Sequence, residues 1–94
     1  MARIVIWQED ATVNFEKTVA YLVEVWGKKV AREFYDEVHD NINLIIQFPQ
    51  SGKATSKKRR KYKRVIRRRT SIIYQFTDDT IYITDIWDNR RKPK

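Results

Sequence analysis

Phe48-Pro49-Gln50-Ser51-Gly52 divides this 94-residue chain into two parts with different apolar periods. Upstream, Phe15, Val19, Leu22 and Trp26 recur at helical spacing, and Val30, Phe34, Val38, Ile42 and Ile45 continue the pattern. Such spacing gathers apolar side chains on one face of a helix. Gly27 separates the two stripes, and glycine accepts the left-handed backbone common at helix ends. Pro49 stops the second stripe because its ring and missing N–H cannot continue a helix. Asp10 or Thr12 is the expected N-cap of the first helix. Two amphipathic helices joined at one glycine read as a helical hairpin. Ahead of them, Ile4-Val5-Ile6-Trp7 is β-branched and too short for a helix, so it reads as a first strand.

Downstream of Gly52 the period becomes that of strands. Residues 62–68, 71–76 and 81–87 are the candidates, and Thr77-Asp78-Asp79-Thr80 supplies turn chemistry between the last two. Closely linked strands pair antiparallel, giving a meander. The expected fold is therefore α+β, β-α-α-β-β-β, with a helical hairpin packed on a mainly antiparallel twisted sheet. Residues 1–94 form a single domain, large enough to bury roughly 60–65 % of its unfolded surface. Phe15, Leu22, Trp26, Phe34, Val38 and Ile42 are expected to meet Ile72, Tyr74, Ile81 or Ile83. Alternation puts Lys63, Val65 and Arg67 on one side of the first meander strand and Arg64, Ile66 and Arg68 on the other. A buried arginine needs partners, so at least one basic row must reach solvent or a ligand.

Charge is the strongest functional signal. The chain carries a net +8, but residues 1–52 hold five bases and eight acids, while residues 53–94 hold 15 bases and four acids. Between residues 53 and 69, eleven of 17 positions are Lys or Arg, and no acid occurs between Asp40 and Asp78. A run this dense repels itself and calls for a polyanion or an acidic partner. Residues 53–61 read as a basic loop that steers and binds, and residues 63–69 as a basic strand. The expected target-binding residues are Lys57, Lys58, Arg59, Arg60, Lys61, Arg64, Arg67, Arg90 and Arg91.

Other chemistries lack their parts. With no Cys in the chain, disulfides and thiolate metal sites are excluded and a reducing compartment is expected. His39 is the only histidine, with the spacing of a helix-surface residue, so no metal site is expected. Only Gly27 and Gly52 are available, too few for a glycine-rich phosphate loop, and no cofactor is implied. No apolar run approaches the roughly 20 residues that span a bilayer. A soluble cytoplasmic protein without membrane partners is the expectation.

The basic run has three readings: a solvated face, a module that binds nucleic acid through phosphate contacts, or a cation cluster for RNA cleavage. Cleavage by the ribose 2′-hydroxyl needs a base, an acid and cations for the developing charge. Without a useful His, Lys and Tyr must move the protons. Lys63, crowded by Arg64 and Arg67, is the first candidate, because like charges make a lysine give up its proton more readily. Tyr62, Arg64, Arg90 and Arg91 complete that set, the last two if the C-terminal strand carries them to the basic face.

The motifs in their order resemble the RelE/ParE superfamily of toxins from bacterial type II toxin–antitoxin systems. The resemblance runs from Ile4 to Pro93. It rests on Phe48-Pro49-x-x-Gly52, Tyr62-x-Arg64, Ile72-Ile73-Tyr74, Asp78-Asp79-x-Ile81-x-Ile83 and Asp85-Ile86-Trp87-Asp88-x-Arg90-x-x-Pro93. It implies the β-α-α-β-β-β fold, a cognate acidic antitoxin and growth arrest by the free toxin. RelE-like members cut mRNA on the ribosome; ParE-like members poison DNA gyrase. By position, Arg64 and either Arg90 or Arg91 match basic residues of the RelE-like site. However, Ser71 stands where a second catalytic arginine is expected, and no Tyr or His follows Trp87. The Asp88-x-Arg90-x-x-Pro93 ending resembles ParE-like relatives. The resemblance therefore implies a gyrase inhibitor first and a ribosome-dependent mRNA interferase second.

Overall fold

A computed structural model describes residues 3–56 and 60–91 of the chain. The elements are β1 (Ile4–Trp7), α1 (Glu9–Trp26), α2 (Lys28–Gln47), a 3-10 turn (Pro49–Ser51), β2 (Lys53–Ser56), β3 (Lys61–Ile66), β4 (Thr70–Phe76) and β5 (Thr80–Asp88). They form one five-stranded sheet in the order β1-β5-β4-β3-β2. β1 runs parallel to β5, and the other pairings are antiparallel. The architecture is the expected α+β hairpin-on-sheet, with β2 as an additional strand.

Both helix stripes face the sheet. α1 buries Ala11, Thr18 and Leu22, and α2 buries Ala31, Phe34, Val38, Ile42 and Ile45. They meet Ile66, Ile72, Tyr74, Ile81, Ile83 and Ile86 from the inner sheet face. Each fully buried side chain of this size contributes about 1.5–3 kcal/mol of transfer free energy. Trp26 is not part of this core: at the end of α1 it is 54 % exposed, and Phe15 is only half-buried. The four-three-four spacing reaches Trp26, but the hairpin turns at Gly27 before the sheet can cover it. Gly27 has φ 97°, which a side chain would strain, and it alone links the helices. Neither Asp10 nor Thr12 caps α1; the helix starts at Glu9 after Gln8, with no side-chain cap. Glu9 and Asp10 instead sit in the first turn, where carboxylates favour the helix dipole.

Three further expectations need correction. Residues 53–61 are not simply a loop, because Lys53–Ser56 pairs with β3 as an edge strand. The basic strand ends at Ile66, not at residue 68, because Arg67 and Arg68 adopt left-handed backbone with φ 52° and 60°. His39 is half-buried among rings, with centroids 4.4 Å from Tyr35, 5.8 Å from Phe15 and 6.0 Å from Trp7. The 77–80 turn forms as expected: Thr77 N–H donates to the Thr80 carbonyl, and Asp79 accepts from both threonine hydroxyls. Those bonds, Thr80's first, hold the Asp79 carboxyl below its ordinary value.

One glycine is required by close approach. A Cβ on Gly52 would lie 2.5 Å from Tyr74 Oη and 3.0 Å from the Lys63 carbonyl. The Gly52 N–H donates to that hydroxyl at 3.1 Å, and the hydroxyl donates to the Pro49 carbonyl at 2.6 Å. Tyr74 is fully buried and stacked on Tyr62. Burial raises its pKa above the ordinary value, opposed by the Gly52 hydrogen bond. This lock fixes the Pro49–Ser51 turn against the sheet and so positions Ser51.

Candidate binding site

The basic run is divided by the sheet into two environments. Arg64 points to the helix side, where its Nε donates to Asn41 Oδ1 at 2.6 Å and its Nη1 donates to Ser51 Oγ at 3.0 Å. Tyr62, two residues earlier on the same face, packs against Tyr74 and Phe76. Lys63, between them, points to the opposite face and is exposed. There the register builds three rows: Ile6–Tyr82–Gln75–Lys61, Lys53–Lys63–Ile73, and Val65–Ser71–Trp87. Neither α1 nor α2 covers this outer face, which explains why Ile4, Ile6, Val65 and Trp87 stay exposed. The surface is basic towards β2 and apolar towards β1.

The end of β3 meets an acid that the linear sequence places far away. Glu37 of α2 accepts a hydrogen bond from Arg69 Nη2 at 2.8 Å, and Arg67 Nε lies 3.2 Å from its other oxygen. The second contact is an ion pair without hydrogen-bond alignment, since Glu37 Oε2 has no hydrogen-bond partner. The acid-free stretch is therefore partly neutralised in space by the helical half of the chain. Glu37 and Asn41 are four residues apart, so their side chains are neighbours on one helix face. That face gathers Arg64, Arg67 and Arg69.

At the C-terminal end, Asp88 is fully buried and accepts from Thr70 Oγ1 at 2.7 Å. It also accepts from the Arg90 backbone N–H at 2.9 Å, from Arg90 Nε at 3.0 Å and from Arg90 Nη2 at 2.9 Å. Burial alone raises such a carboxyl; the Arg90 side-chain, Thr70 and Arg90 backbone bonds outweigh it and hold Asp88 below its ordinary value. The fork of Arg90 is thus committed to Asp88, and its side chain is only 16 % exposed. Arg91 reaches α1, with Nη1 3.4 Å from the Asn14 carbonyl and from Thr18 Oγ1.

Of the residues expected to bind or react, the fold brings Arg64 and Arg67 to one helix-lined face, with Tyr62 beside Arg64 on β3. Lys61 and Lys63 occupy the outer face, and Arg60 is exposed with φ 52° just before β3. Lys57, Lys58 and Arg59 lie outside the described residues. Arg90 and Arg91 follow the C-terminal end of β5, beside the turn that carries Arg67 and Arg69, and are held there by Asp88 and α1. The sequence reading missed Glu37, Asn41, Ser51 and Asp88, the partners of these arginines. The i,i+4 spacing of Glu37 and Asn41 was the available signal, but acids on a helix surface are common. Among the described residues, no group of three or more His, Cys, Asp or Glu is placed to hold a metal, and no helix is long and apolar enough to cross a membrane.

Comparison with known proteins bears on the whole arrangement. Residues 5–93 match the sequence model of a family described as the ParE toxin of a type II toxin–antitoxin system, parDE. No curated protein sequence matches. Among solved structures, a chain of a chromosomal ParDE toxin–antitoxin system from P. aeruginosa superposes with a TM-score of 0.76. It is 15 % identical, and the match covers 93 % of this chain and 96 % of that one. At that identity the likeness concerns the fold.

Proposed function

Because this chain belongs to the ParE toxin family of type II toxin–antitoxin systems, we propose that it arrests growth as a protein ligand of DNA gyrase, neutralised by a cognate acidic antitoxin. One observation favours binding over RNA cleavage. The candidates for proton transfer and phosphate stabilisation do not converge: Lys63 and Arg64 lie on opposite sheet faces, and the Arg90 guanidinium is held by Asp88. Acid–base catalysis needs its groups within hydrogen-bond reach of one reacting atom. A binding surface has no such requirement, and the outer-face lysines Lys53, Lys61 and Lys63 suit the DNA held by gyrase. The uneven charge of the chain fits an antitoxin rich in acids.

The test is controlled expression in a bacterium, with and without any acidic small protein encoded beside it. Growth arrest with gyrase-linked double-strand breaks, intact messages and rescue by the neighbour is the expected result. In-frame mRNA cuts without DNA damage would replace this reading with ribosome-dependent cleavage by an mRNA interferase, with Arg64 as the phosphate-binding residue. Harmless expression with retained nucleic-acid binding would leave only a basic module.

A further inference from the structure

The turn joining β3 to β4 is built against the preference of its residues. Arg67 and Arg68 occupy its two central positions with φ 52° and 60°. Arg69 N–H closes the turn on the Ile66 carbonyl at 3.1 Å. Left-handed backbone is disfavoured for a side-chain-bearing residue, and hairpins that need it twice favour Asn-Gly. The conformation is imposed from outside: Asn89 donates its backbone N–H to the Arg69 carbonyl at 2.8 Å and its side-chain amide to the Arg68 carbonyl at 3.2 Å. A strained segment so braced is where a functional constraint is expected.

What the turn grips is already visible. The Glu37 carboxylate sits between Arg67 and Arg69, yet incompletely: Glu37 Oε2 and Arg69 Nε are both buried without hydrogen-bond partners. The Asp88–Arg90 pair at the end of β5 is closed more fully, with both guanidinium bonds made. We propose that the residue 67–69 turn is a carboxylate-binding site for an Asp or Glu of a partner protein, and that Glu37 is its internal placeholder.

A protein segment suits the site better than a nucleic-acid strand. Beside Arg67 lies a groove of about 370 Å³ whose other lining residues are Glu33, Asp36, Glu37 and Asp40. A phosphate backbone would bring a negative charge past each of those carboxylates. A peptide can place one acid at the arginines and a Lys or Arg against Glu33, Asp36 and Asp40. The partner segment is thus of mixed charge. The inference stands whether or not gyrase is the target.

The test uses the full chain and three fluorescent probes of equal length: a helical Glu/Lys peptide, an all-Lys peptide and a single-stranded oligonucleotide. Removing the placeholder in Glu37→Gln should tighten the Glu/Lys peptide about tenfold, because an internal competitor lowers apparent affinity by the fraction of sites it occupies. The double variant Arg67→Asn, Arg68→Gly should lose that gain when combined with Glu37→Gln. On its own it should raise Tm by about 4–8 °C as strain is relieved. A purely structural role for the pair predicts the reverse: unchanged peptide binding and a Tm that does not rise. Either of those results overturns the proposal, as does tightening of the oligonucleotide or of the all-Lys peptide in place of the Glu/Lys peptide.

Discussion

Gly52→Ala tests the lock that holds Ser51, a partner of Arg64, against the sheet. The new methyl carbon would sit 2.5 Å from Tyr74 Oη, 3.0 Å from the Lys63 carbonyl and 3.2 Å from Tyr74 Cε1. The ring has little room to retreat, being fully buried and stacked 5.7 Å from Tyr62. The carbonyl belongs to β3, paired on both sides. Overpacking of this kind costs about 1–3 kcal/mol. Displacing the hydroxyl also weakens its bonds to Gly52 N–H and the Pro49 carbonyl, each contributing about 0.5–1.5 kcal/mol. Together these give a loss of about 2–4 kcal/mol, or a Tm drop of roughly 10–25 °C for a domain of this size. Urea and thermal unfolding followed by near-UV circular dichroism measure it. Tyr74→Phe removes the hydroxyl that clashes, at a separate cost of about 1–3 kcal/mol for the two stranded backbone groups. Gly52→Ala should therefore cost less in the Tyr74→Phe background than alone, by about 1–2 kcal/mol. Costs that add to within about 0.5 kcal/mol would show that the methyl and the hydroxyl do not compete for space, and would refute the reasoning.

Other consequences are as direct. Asp88→Ala strands the Arg90 guanidinium and should cost about 3–5 kcal/mol, read as a shift in the urea midpoint. Asp88 has a depressed folded-state pKa, so its contribution is present above the ordinary value of 3.8 and is lost as pH falls through the lower folded value. Asp88→Asn should accordingly flatten the acid limb of the stability curve below that pH. Trp26→Ala, at a position 54 % exposed, should cost under about 1 kcal/mol, whereas Leu22→Ala, fully buried one turn earlier, should cost about 2–5 kcal/mol in the same assay. Arg64→Ala should lose growth arrest while lowering stability by only about 1 kcal/mol, since its bonds to Asn41 and Ser51 are partly solvated. Arg64→Lys, which keeps the charge but not the fork, should restore little.

The fold was legible where period and punctuation agreed. Gly27 and Pro49 bound the helices because their backbone preferences are local properties, and the strands of the meander follow from alternation. Less visible was anything set by a distant element. β2 is a short basic edge whose pairing with β3 overrides its loop-like composition. Trp26 fits the apolar spacing, but tertiary coverage ends before it. The bulge at Thr84 in β5, whose hydroxyl donates to the Ile73 carbonyl, leaves no mark in the alternation. For the site, the sequence showed the arginines and hid their partners. The eleven bases of residues 53–69 looked undiluted because Glu37 lies outside the run in the chain, and only the packing of α2 on the sheet brings the two together. Arg90 looked free for a target because a carboxylate two residues earlier need not face it; here the turn after β5 folds the guanidinium back onto Asp88.

The claim that this ParE-family chain works by binding gyrase is tested most directly with purified components. The protein is added to gyrase, relaxed plasmid and ATP, and the DNA is denatured and resolved on a gel. The account predicts trapped cleavage complexes, seen as linear plasmid that depends on gyrase and is lost when Lys53, Lys61 and Lys63 are replaced by Ala. Undisturbed supercoiling, together with cutting of a message on programmed ribosomes, would contradict it.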